Sequence, residues 1–111
     1  MNKIHSVEFV KKELLQDLEK LSKGDFADKK LHEFINRGLD DLKENPSCGI
    51  KLPRRLWPKE YLHRYRIDNL WKYDLPNGWR LIYTIINEKV RIISVILEWL
   101  SHKEYEKRFK Y

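Results

Sequence analysis

Arg80, His102 and Tyr105 are of types that could do chemistry on a phosphodiester. Cleaving RNA without a metal needs a base for the 2′-hydroxyl proton, a cation to stabilise the crowded phosphorane, and an acid for the departing 5′-oxygen. A guanidinium suits the second task, because its planar fork grips two phosphoryl oxygens and stays charged in any surroundings. His102 stands where a terminal helix should begin, at the positive end of its macrodipole, which disfavours imidazolium and so suits a base. Tyr105, three residues on, shares its helix face and could stack on a nucleobase or donate a proton. Each also has a plainer reading: Arg80 in a cross-strand pair with Asp74 or Glu98, His102 as a solvated helix start, Tyr105 as an apolar contact of Leu100.

Charge is distributed in a way that supports a polyanionic partner. Residues 1–50 hold nine Lys and Arg against ten Asp and Glu, whereas residues 51–111 hold 14 against seven, so the whole excess of +6 comes from the second half. Eleven of the 14 aromatic residues lie there too. Cations neutralise phosphates and rings stack on unpaired bases, which makes RNA the natural candidate. Lys51, Arg54, Arg55 and Lys59, with Trp57 among them, form a proline-bounded basic loop that could grip phosphates or ribosomal RNA; as a solvated charge run it would need no function. Cys48 has no identifiable base partner, no Cys/His pairs stand at zinc spacing, and no cofactor or metal is expected.

The elements that must position these residues follow from periodicity. Val10, Leu14, Leu18 and Leu21 step at helical intervals, with Ile4 to Phe9 before them as a first strand or an opening turn. Asp25 or Asp28 caps a second helix whose stripe is Leu31, Phe34, Ile35, Leu39 and Leu42, stopped at Asn45-Pro46. Gly24 turns the chain between them into a helical hairpin. A short helix is expected from Pro58 to Tyr65. The period then changes to two: residues 69–86 read as two strands joined at Asn77-Gly78, and 90–100 as a central strand apolar on both faces. Ser101 with Glu104 is a capping box opening a helix at 102–109. The fold class is α+β, an N-terminal strand and helical hairpin packed on a three- or four-stranded antiparallel sheet, with a short C-terminal helix; one domain spans residues 1–111.

Mean hydropathy is −0.71 and no window approaches the ~18 apolar residues of a membrane span. One cysteine and no apolar run after the N-terminus lead to an expected place in the reducing cytoplasm.

The helical hairpin, the break at Asn45, Pro46 and Gly49, the strand WRLIYTI at 79–85 and the HKEY opening at 102–105 resemble the RelE/ParE toxin superfamily of prokaryotic toxin–antitoxin modules, over nearly the whole chain. The RelE branch of that superfamily cleaves messenger RNA in the ribosomal A site; the ParE branch shares the fold and poisons DNA gyrase. The resemblance implies catalytic roles for Arg80 and for His102, Tyr105 and Arg108 in the C-terminal segment. It also implies a cognate antitoxin, with messenger and ribosomal RNA as further partners, no membrane, and a toxin that is monomeric or held in the antitoxin complex. Two alternatives stay open: a non-catalytic gyrase inhibitor, and a basic RNA-binding domain with a structural Arg80. Residues 52–76 are longer than the minimal pattern of the superfamily.

Overall fold

The computed structural model describes residues 2–110. Its order is β1 (Ile4–Phe9), α1 (Lys12–Leu21), α2 (Phe26–Glu44), β2 (Ile50–Lys51), α3 (Lys59–Arg64), β3 (Trp71–Asp74), β4 (Arg80–Asn87), β5 (Arg91–Leu100) and α4 (His102–Phe109). The α+β expectation holds, with an N-terminal strand, a helical hairpin, a sheet and a C-terminal helix. The sheet has five strands in the order β1-β5-β4-β3-β2, and β1 runs parallel to β5 while the other neighbours are antiparallel. Parallel pairing follows from the helical hairpin, which carries the chain back to the starting end of the sheet before β5 is laid down. Ile4–Phe9 is thus a strand, and Val10 closes it by donating its N–H to the Ile96 carbonyl, outside the stripe of α1.

Asp25 caps α2 in a reciprocal box with Asp28, and Asn45-Pro46 ends the helix as its sequence requires. Leu31, Ile35, Leu39 and Leu42 of α2 join Leu18 of α1 against Leu81, Tyr83 and Ile96 on the first face of the sheet. Gly38 allows the close approach: a methyl group there would lie 3.0 Å from Leu81 and 3.1 Å from Leu75.

The second face is where the fold exceeds the two layers expected. Leu52 and Trp57 from the basic loop, Tyr61 from α3 and Leu70 just before β3 pack with Tyr105 and Phe109 of α4 over Ile82, Leu97 and Leu100. Those apolar residues stand among prolines and cations with no regular period, so their common burial is a tertiary property. The pairing of β4 with β5 slips between Ile82 and Tyr83, leaving Leu97 and Glu98 both on the second face. This bulge turns the Glu98 carboxylate toward α3 and α4. No helix of the described residues is long and apolar enough to cross a membrane.

Candidate functional site

The β3–β4 hairpin sets the geometry of the site. Asn77 (φ 61°) and Gly78 (φ 79°) both take the left-handed conformation of a tight hairpin turn, closed by the Trp79 N–H on the Pro76 carbonyl at 3.5 Å. Pro76 has no N–H, so Leu75 donates to the Trp79 carbonyl instead, at 2.8 Å. Asp74 then stands opposite Arg80 and Lys72 opposite Ile82. Paired residues share a face and alternate residues repeat it, which puts Lys72, Asp74 and Arg80 on the second face, under α4.

Arg80 is held there from three sides. Its guanidinium carbon lies 4.5 Å from the centroid of the Tyr105 ring, Nη1 donates to the Gly78 carbonyl, and Nε stands 3.7 Å from Asp74 Oδ1. The side chain is 16% exposed and Asp74 50%, so this pair sits at the protein's rim. Nε is buried and makes no hydrogen bond, leaving the charge incompletely satisfied.

His102 approaches through the same glycine. A methyl group on Gly78 would lie 3.0 Å from His102 Cβ and 3.8 Å from Arg80 Nη1. The imidazole is exposed, with Nε2 2.9 Å from Glu106 Oε1 one turn on. A carboxylate only accepts, so Nε2 donates this hydrogen bond. Tyr105 is buried to 2% exposure, stacked on Phe109 with ring centroids 4.5 Å apart. Its ring is a support beneath Arg80 and Lys72, whose Nζ is 5.6 Å from the centroid and 2.9 Å from Asp74 Oδ1.

Arg108 belongs to a different group. Its Nη1 donates to Glu98 Oε2 at 2.6 Å, Nε is 3.6 Å from Glu60 Oε2, and its guanidinium lies 5.8 Å from the Tyr61 ring centroid. Tyr61 donates its hydroxyl to the same Glu98 oxygen. Burial and that bond push the Tyr61 hydroxyl far above its ordinary pKa, keeping it a donor. The network ties α4 to α3 and the bulged strand.

Of the loop cations, Lys51 lies on β2, Arg54 and Arg55 on a single 3₁₀ turn and Lys59 at the start of α3, all exposed. Arg54 rests 5.1 Å from the Trp57 ring centroid, and Trp57 is itself pinned by its Nε1–H on the Leu52 carbonyl at 2.9 Å. Burial, with Asp41 nearby, raises the Cys48 thiol above its ordinary pKa, the opposite of an activated thiolate. Among the described residues no cluster of His, Cys, Asp and Glu could hold a metal ion.

Lys72 and Glu106 are the residues of this group that sequence reasoning missed. The signal for Lys72 was its spacing of two from Asp74, on a strand whose partner is set in register by Asn77-Gly78. The signal for Glu106 was its place four residues after His102 on one helix face. Neither the groove lined by Trp71 nor the smaller one lined by Trp57 takes in Arg80, His102 or Tyr105. The arrangement is an open face, suited to a polymer more than to an engulfed small molecule.

Residues 9–98 match the model of a protein family described as the ParE toxin of type II toxin–antitoxin system, parDE. No curated protein and no solved structure gives a significant match.

Proposed function

The chain belongs to the ParE toxin family of type II toxin–antitoxin systems, and we propose that it is a toxin that cuts messenger RNA on the ribosome, silenced by its cognate antitoxin. The observation that carries this reading is the cationic group at the rim of the second face: Arg80 on the Tyr105 ring, Lys72 beside it, and the His102–Glu106 pair across Gly78.

In this reading His102 Nδ1 takes the proton of a ribose 2′-hydroxyl, with Glu106 holding the ring as it becomes charged. The freed oxygen attacks the neighbouring phosphorus, and the bond to the 5′-oxygen breaks, leaving a 2′,3′-cyclic phosphate and a 5′-hydroxyl. Arg80 faces the charge that gathers on the phosphoryl oxygens, and the Lys72 ammonium adds a second cation and a proton for the leaving oxygen. Tyr105 fixes the guanidinium from below, and Arg108 fixes the helix that carries Tyr105 and His102. Lys51, Arg54, Arg55 and Lys59 hold the RNA backbone or ribosomal RNA.

The ParE description of the matching family favours a second reading, inhibition of DNA gyrase. One pair of assays separates the two. Purified protein added to a coupled cell-free system should stop translation and yield messenger RNA fragments ending in cyclic phosphate, with gyrase supercoiling unaffected. Intact messages together with blocked supercoiling would replace the nuclease by the gyrase inhibitor.

A further inference from the structure

At the end of the sheet opposite Arg80 the first face lies open. Beyond the last residue of α2, Glu44, a groove of about 990 Å³ opens over the final row of strands. Ile85, Ile92 and Trp71 give it an apolar floor, and Lys51, Arg66 and Asn87 are among its polar groups. This is the upper size range of small-molecule clefts, which run from about 300 to 1,000 Å³.

The ring in this groove is preset. The Trp71 Nε1–H donates to Asn69 Oδ1 at 3.1 Å, and one side of the indole stacks on Tyr83 with centroids 6.1 Å apart. Asn69 is in turn locked to the strand end, donating to the Ile85 carbonyl at 2.8 Å and accepting from the Ile85 N–H at 2.7 Å. Lys51 stands directly opposite Trp71 in the β2–β3 ladder, so a cation and a flat ring lie side by side on one face. Neither Lys51 nor Arg66 has an ion-pair partner among the described residues. Asn87 Oδ1 already accepts from Lys3 Nζ, which leaves its amide hydrogens to face a ligand. The cations of the lining are thus Lys51 and Arg66 and its acidic residue is Asp68, beside the polar groups of His5, Asn45, Ser47, Asn69 and Asn87.

We propose that this groove binds a nucleotide, its phosphate between Lys51 and Arg66 and its base laid over Trp71 and the isoleucine floor. An acidic peptide would meet the same cations but has no flat ring system to cover the indole. Seven residue steps along β4 separate Arg80 from Asn87, roughly 24 Å at strand rise. A nucleotide seated here therefore touches none of the Arg80 group, and Lys51 is the residue it shares with the cations assigned to the RNA backbone.

The test is titration of the full chain with adenosine 5′-monophosphate, inorganic phosphate, a short single-stranded RNA and polyglutamate, followed by calorimetry and by the NMR signal of the Trp71 indole N–H. The monophosphate should saturate one site, shift that signal, and bind at least about tenfold more tightly than phosphate alone. Lys51→Gln and Arg66→Gln, both at exposed positions, should each weaken binding about tenfold with an unchanged circular-dichroism spectrum. Arg80→Ala should leave this binding intact. Tighter binding of the RNA than of the monophosphate would identify the ligand as part of a strand, and binding of the monophosphate alone as a free nucleotide; both support the site. Absence of saturation by either nucleotide ligand, survival of binding in the double variant, or equal binding by polyglutamate with the same Trp71 shift would overturn it.

Discussion

Arg80 has a structural place in the fold and, in the proposed reaction, a chemical one. Its contact with Asp74 at 3.7 Å is the cross-strand pair that its sequence position allows, yet Nε makes no hydrogen bond and the side chain keeps 16% of its surface. In the proposed reaction a guanidinium held this firmly would meet a phosphate at little reorganisation cost. Arg80→Ala should lower RNA cleavage by about 100-fold to 1000-fold, the ~2.7–4 kcal/mol of a lost transition-state donor. The readout is rescue of translation in the cell-free system, with the fold checked by denaturation. Arg80→Lys should recover only part of the loss, because an ammonium keeps the charge without the fork. His102→Ala should act in the same direction. A His102→Ala protein with the full wild-type rate would remove the imidazole from the mechanism.

Among the elements, α4 depends on a clamp that its own sequence only half describes. Ser101 and Glu104 start the helix, but Arg108 on Glu98 and Glu60 holds it to the sheet and α3. Arg108→Ala would leave Glu98, 22% exposed, without its cation, and should cost about 1–3 kcal/mol in denaturant unfolding. The loss should shrink when Glu98 is also replaced by Gln, the coupling that a double-mutant cycle measures.

Where α2 meets β3, Tyr73 donates to Asp41, and burial together with this bond raises its hydroxyl from the ordinary 10 to about 12. Its protonated form is favoured by folding, so this contribution is complete below pH 10 and is lost as pH rises through about 12. Tyr61 and Tyr83 are raised in the same direction, chiefly by burial. Unfolding free energy should therefore fall across that window, and Tyr73→Phe should make the fall shallower. A stability profile flat from pH 10 to 12 would contradict the assignment.

For the whole molecule the decisive quantity is the uneven charge, with residues 51–111 carrying 14 cations against seven anions. Such a field speeds the encounter with any partner of opposite charge, and salt screens it within about 10 Å at 0.1 M. Association with the antitoxin should slow about tenfold or more from low salt to 0.5 M salt in stopped-flow mixing, while dissociation changes little. An association rate independent of salt would mean that apolar docking governs the encounter.

The sequence by itself determined the local elements, because their signals are local. The stripe of α2, the Asp25 and Ser101 caps, the left-handed Asn77-Gly78 turn and the bounds of α4 all stand where period and capping chemistry put them. The contact of Arg80 with the Tyr105 ring rests on the hairpin register and on the one strand that intervenes before α4. Tertiary structure alone decided the rest. The parallel seat of β1 depends on which strand was free at the sheet edge, and the second core under residues 52–70 depends on contacts between residues far apart in the chain. The bulge that sends Glu98 to Arg108 changes a side chain's face without changing any residue type, which no pattern of alternation records.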